Sequence, residues 1–131
     1  MAITALAEPL VGNPAAVGGM LDGVGPKQHI ERFLVAGEPI QRDDGTLDAG
    51  IEAQMVRAWQ KLFSAMNAAG FEKRHLRSTT MYLTVGGQVR AYRRVRDRML
   101  ERLHVPCSCL HVDGLATTGS CVEIEGEAAR D

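Results

Sequence analysis

The side chains best able to do chemistry crowd toward the C-terminal end: Cys107, Cys109 and His111, then Cys121, Glu123, Glu125 and Glu127. Both runs alternate with other residues. Ser108, Leu110 and Val112 interleave the first, and Val122, Ile124, Gly126 and Ala128 the second. A β-strand points successive side chains to opposite faces, so each run reads as a strand with a reactive face and an apolar or small face. The second faces, Ser108, Leu110 and Val112 among them, are expected against helices. Asp113 to Gly119 reads as a turn, which would pair the two strands as a hairpin and lay thiols, imidazole and carboxylates side by side across the ladder.

Such a face suits nucleophilic or acid/base chemistry. A thiolate at Cys107 can attack a carbonyl or imine carbon, and a carboxylate at Glu123 can position water or carry a proton. Cys107, Cys109, His111 and Cys121 are donor types that suit zinc. Yet side chains at i and i+2 of one strand stand about 6–7 Å apart, which is poor geometry for a shared ion. No metal and no cofactor is expected. A solvated outer face explains the glutamates without any function. It explains the cysteines poorly, because free cysteines are usually buried.

Arg90, Arg93, Arg94, Arg96, Arg98 and Arg102 form a second cluster, with Asp97 and Glu101 between them. A charge-rich helix face is most often simply solvated. One arginine could grip a substrate carboxylate through two hydrogen bonds, or the patch could hold RNA. At least three of the aromatics Phe33, Trp59, Phe63, Phe71, Tyr82 and Tyr92 fall in core patterns, so no platform for stacking bases is evident. His29, His75 and His104 are scattered and read as surface or structural histidines.

The elements that must position these residues are legible. Ile51, Met55, Ala58, Leu62, Met66 and Ala69 recur at helical spacing, with Asp48 as the expected cap and Gly70 where a helix-ending glycine belongs. Val89, Tyr92, Val95, Met99 and Leu103 make the apolar stripe of a second helix, over about 88–103. His29 to Ile40 and Leu76 to Val85 read as strands. Residues 1–22 read as a loose N-terminal arm with room for one short edge strand. The order is strand, helix, strand, helix, strand, strand: one α/β (α+β) domain over 1–131, with both helices on one face of a single sheet.

The sequence is 131 residues long, with 15 basic and 16 acidic residues and a net charge of −1. That balance exerts no global pull on nucleic acid or on a membrane surface. The uncharged stretch from Pro9 to Leu21 is broken by proline and glycine and follows no basic segment, so neither a spanning helix nor a secretory signal is expected. Three clustered cysteines do not read as a secreted disulfide framework, which points to a reducing cytoplasm and free thiols. With no residues left to cover the second face of the sheet, another subunit is the natural cover.

Several blocks resemble the RidA/YjgF family. IEAQMVRAWQKLFSAMNAAG resembles its long helix and RSTTMYLT the strand after it. FLVAGEPI with DDGTL resembles its early strand and turn, GVGP its Gly-Pro element, and CSCLHVDGLATTGSCVEIEGEA its ending; together they span residues 23–129. The resemblance implies a chorismate-mutase-like mixed sheet with two helices on one face. It also implies a homotrimer with clefts between subunits, and cofactor-free hydrolysis of reactive imines and enamines such as 2-aminoacrylate. The family opens the first closing strand with an Arg-Ser pair whose arginine binds the substrate carboxylate. Here the pair is Cys107-Ser108. Cys109 matches the family's cysteine, Glu123 its water-positioning glutamate, Lys27 stands where a tyrosine is common, and Arg93 falls near an asparagine.

A thiol lacks the fixed charge and forked donors of a guanidinium. The expectation is therefore a divergent hydrolase or deaminase acting on a C–N bond of a small metabolite. Cys107 and Glu123 are its catalytic candidates, and Arg93, Cys109, Ser108 and Lys27 its substrate contacts. The alternatives are a non-catalytic regulatory trimer that binds a small ligand, and RNA binding or cleavage through the arginine helix.

Overall fold

A computed structural model describes residues 4–11, 29–37 and 39–131. Five strands form one sheet: β1 (Thr4–Val11), β2 (His29–Ala36), β3 (Leu76–Leu83), β4 (Cys107–His111) and β5 (Val122–Arg130). Two helices join them, α1 (Ile51–Ala68) and α2 (Val89–Leu100). The sheet order is β1-β2-β5-β3-β4. The strand β1 lies in the expected N-terminal arm and pairs antiparallel with β2 at the sheet edge.

The two βαβ crossovers explain the layering. The strands β2 and β3 both run antiparallel to β5, hence parallel to each other, and α1 connects them. The helix α2 connects β3 to β4, which pair parallel. Both crossovers step in the same direction along the sheet, and the right-handed rule then puts both helices on one face. Their apolar stripes meet there: Met55, Ala58, Trp59, Leu62 and Met66 of α1, and Tyr92, Val95 and Leu100 of α2, pack with Phe33, Val35, Met81, Leu83, Val122, Ile124 and Ala128. Gly126 lets α1 approach β5, since a Cβ there would sit 2.9 Å from a Leu62 methyl.

The expected hairpin is not formed. The strand β5 inserts between β2 and β3, and β4 pairs with β3 instead. The cap of α1 also differs. Gly50 occupies the N-cap without a side-chain hydrogen bond, while the Asp48 carboxylate accepts from Arg57 Nε at 2.9 Å. Gly70 follows the helix with φ 85°, the left-handed conformation expected of it.

Candidate functional site

The register assigns each reactive residue to a face. Thr79 lies beside Cys107 and Met81 beside Cys109. Thr79 and Met81 are buried among the helices, so both thiols face α2 and border the core. Ser108 and Leu110, expected against the helices, instead take the open face, where Leu110 is 50% exposed. On β5 the expected faces hold. Val122, Ile124 and Ala128 are buried, and Glu123 lies beside Tyr82 on the open side.

Cys107 and Glu123 are therefore on opposite faces of the sheet, with β3 between their strands. Their registers differ by three residues, about 10 Å along the strands, with two spacings of about 4.8 Å across. The reason is the inserted strand: a hairpin would have aligned the two faces directly. His111 stands at the far end of β4, exposed, with Nε2 3.3 Å from the Thr84 carbonyl oxygen. Among the described residues no three His, Cys, Asp or Glu side chains converge to hold a metal ion.

Two polar neighbourhoods result. The first lies where α2 meets edge strand β4. Cys107, half-buried, donates its S–H to the Val105 carbonyl at 3.2 Å. The Tyr92 hydroxyl lies beside the Cys107 and Cys109 thiols, is buried, and has no hydrogen-bond partner at good geometry. Burial first, then these thiols, pushes the phenol well above its ordinary value. Burial likewise raises the Cys109 thiol, which suits a wall better than a nucleophile. Thr79 Oγ1, beside Cys107 in the ladder, is also buried without a partner. An unpaired buried hydroxyl costs about 1–3 kcal/mol, so two at one corner are unusual for a purely structural core. The Arg96 guanidinium lies over the Tyr92 ring, 5.8 Å from its centroid, and pairs with Asp97 at 2.8 Å.

The second neighbourhood is the open face. Tyr82 donates its hydroxyl to Glu125 at 2.7 Å, and that bond raises its pKa more than burial does. Arg32 Nε donates to Glu127 at 3.0 Å. A shallow pocket of about 260 Å³ lies over Leu34, Ala36, Ser78, Thr80, Glu125 and Glu127.

Arg93 is exposed on α2, and among the described residues it makes no side-chain hydrogen bond or ion pair. Lys27 lies outside the described residues. Arg94 pairs with Glu52 at 3.1 Å and Arg96 with Asp97, which neutralises part of the arginine cluster. Sequence reasoning named Arg96 only as one member of the arginine cluster, singled out Arg93 instead, and assigned Tyr92 to the apolar stripe alone. The i, i+4 spacing of Tyr92 and Arg96 was the available signal, because it stacks a guanidinium over a ring on one helix face.

No protein-family model and no curated protein matches the sequence. Solved structures do match the fold. A Thermotoga maritima protein described as a candidate endoribonuclease superposes over 83% of this chain and 90% of its own, with a TM-score of 0.70 and 21% identity. TdcF of E. coli, solved with bound serine, covers 76% of this chain and 81% of its own at TM-score 0.70 and 18% identity. The YjgF gene product of E. coli covers 76% and 81% at TM-score 0.68 and 17% identity. The chain has the RidA/YjgF fold, as its sequence blocks led us to expect. Among the described residues no helix is long and apolar enough to cross a membrane.

Proposed function

We propose that this chain, with the fold of TdcF and YjgF, is a divergent RidA-type enzyme that hydrolyses a C–N bond of a small imine-, enamine- or amide-like metabolite. It works as a homotrimer with its sites in clefts between copies. The observation that carries this reading is the setting of Cys107: half-buried on an edge strand, next to Tyr92, at the position where the RidA pattern has its carboxylate-binding arginine. Serine bound to TdcF sets the scale of ligand we have in mind, a small molecule with a carboxylate and an amine.

In this reading Cys107 is the nucleophile or proton-transfer group, and Ser108, Cys109 and Lys27 border the substrate. Glu123 positions water. Since Glu123 and Cys107 of one chain face opposite sides of the sheet, one copy must supply the thiol and another the carboxylate. Arg93, exposed on α2, is the candidate anion anchor.

Ammonia release from enzymatically generated 2-imino acids tests the proposal. On these 2-imino acids Cys107→Arg should gain activity over wild type, because it restores the guanidinium of the RidA pattern, while it should lose turnover of the native substrate. Full turnover of a confirmed substrate by both Cys107→Ala and Glu123→Ala would remove the assigned roles. The separation of Cys107 from Glu123 favours one second reading, a ligand-binding regulatory trimer without chemistry. Ligand binding with no turnover by any variant would establish that reading instead.

A further inference from the structure

Cys107 and Cys109 are the thiols of a Cys-X-Cys run on edge strand β4. Both are free and half-buried, and both face α2. Side chains at i and i+2 of one strand leave the backbone about 6–7 Å apart. That separation decides what the pair can hold. A disulfide needs Cβ atoms about 3.5–4.5 Å apart, so one here would buckle the strand. A tetrahedral ion, with metal–sulfur bonds of about 2.3 Å, draws its sulfurs to within about 3.8 Å of each other and wants two further donors. Among the described residues no such donors converge. An ion with two ligands in line spreads its sulfurs to twice one bond, about 4.6 Å. Each side chain reaches that by leaning about 1 Å toward the other.

The surroundings favour a sulfur that accepts hydrogen bonds. The Tyr92 hydroxyl, on a side chain 4% exposed, lies beside both thiols and has no partner. Thr79 stands next to Cys107 in the ladder, and its hydroxyl is also buried without a partner. A neutral thiol is a weak acceptor, and Cys107 donates its own proton to the Val105 carbonyl at 3.2 Å. A metal-bound thiolate is a strong acceptor, so binding would satisfy donors that are otherwise stranded. The remaining donor types stand apart. Cys121 precedes β5, which β3 separates from β4, and His111 is exposed with Nε2 against the Thr84 carbonyl oxygen.

We propose that Cys107 and Cys109 bind one soft monovalent cation per chain as a linear two-sulfur complex, Cu(I) being the ion this chemistry fits. Soft thiolates select Cu(I), a closed-shell ion that accepts two ligands in line. On binding, two S–Cu bonds form, both thiol protons pass to buffer, and no electron moves. The Tyr92 hydroxyl donates to the bound sulfurs as an outer partner. The site goes beyond the proposed hydrolysis and stands or falls without it, because its readout is ion binding.

Competition against a coloured Cu(I) chelator, under nitrogen with ascorbate keeping the copper reduced, measures affinity on the intact folded chain. Wild type should take up one Cu(I) per chain, with two sulfur neighbours in X-ray absorption. Cys107→Ser and Cys109→Ser should each bind at least about 100-fold more weakly, more than the loss of an outer partner costs. Cys121→Ser and His111→Ala should match wild type, and excess Zn²⁺ should not displace the ion. Tyr92→Phe, which keeps the ring, should weaken binding about tenfold while both sulfurs remain. A second measurement needs no variant. Ag(I), a redox-inert stand-in, should protect Cys107 and Cys109 but not Cys121 from alkylation by N-ethylmaleimide, read by peptide fragmentation in a mass spectrometer.

Equal affinity in wild type and both serine variants, a loss in His111→Ala, one ion per two chains, displacement by Zn²⁺, or no protection by Ag(I) would each overturn the linear two-sulfur site. Unchanged affinity in Tyr92→Phe would strike Tyr92 from it.

Discussion

His75 is 8% exposed, packs edge-on against Phe71 at 6.0 Å between ring centroids, and accepts the Glu72 backbone N–H through Nδ1 at 2.9 Å. Accepting that bond requires an unprotonated Nδ1. Burial first, then the Arg74 charge, lowers its pKa below the ordinary value of 6.5. Well above 6.5 the ring is neutral in both folded and unfolded chains. As the pH falls below that value the unfolded chain takes up a proton that the folded chain resists, so stability declines until the lower folded pKa is passed. Urea midpoints should therefore be lower at pH 5.5 than at pH 7.5, and His75→Gln, which keeps an acceptor, should shrink that difference. An undiminished difference in the variant would assign the acid sensitivity to other groups. At this scale the sequence was informative about residue types and misleading about their directions. Cys107 and Cys109 alternate correctly along β4. Alternation alone does not say which face meets the helices, and the flanking Ser108 and Leu110 gave the wrong sign.

Gln54 shows how one side chain joins elements that the chain brings together late. It lies on α1, 6% exposed, donates Nε2–H to the Asp48 carbonyl at 3.2 Å, and accepts the Cys121 N–H through Oε1 at 2.9 Å. It thereby fastens the start of α1 to the entrance of β5. Gln54→Leu fills similar volume but strands both backbone groups, and should destabilise the fold by about 1–3 kcal/mol in urea titration. Unchanged stability would mean that water satisfies those groups. Local elements such as α1 were readable because their signal is a period within one segment: Met55, Ala58, Leu62 and Met66 are all buried as their spacing requires. Strand order was not readable. Asp113 to Gly119 has the composition of a hairpin turn, yet β5 is drawn between β2 and β3 by pairings with residues about 40 to 100 positions away in sequence, which no local pattern encodes. Even the bulge at Leu76/Ser78, which inserts Arg77 so that Leu76 and Thr79 can both face the helices, appears only in the register.

The described residues form two layers, with helices on one side of the sheet and none among them on the other. Its open face is mixed in character: ion-paired Arg32 and Glu127, the Tyr82–Glu125 hydrogen bond, the hydroxyls of Ser78, Thr80 and Ser108, and an apolar Leu110 that is 50% exposed. The Arg32–Glu127 and Tyr82–Glu125 hydrogen bonds persist when the face is covered, whereas Glu123 has no partner within the described residues and needs one, or water, from across a contact. This is how the face would meet other copies in the proposed homotrimer, with Leu110 buried among its counterparts. Leu110→Glu would place a new unpaired carboxylate in each contact, repeated by symmetry around the ring. Sedimentation equilibrium should show the wild type as a trimer and Leu110→Glu as a monomer or a much weaker assembly, at least tenfold weaker in association. Its circular dichroism should be unchanged, because Leu110 takes no part in the buried core. The same variant should lose any turnover that wild type shows, since the proposed cleft needs Cys107 from one copy and Glu123 from another. A trimeric Leu110→Glu would move the interface off this face. A monomeric but fully active variant would refute the shared cleft and place the whole reaction within one chain, on the Cys107 side of the sheet.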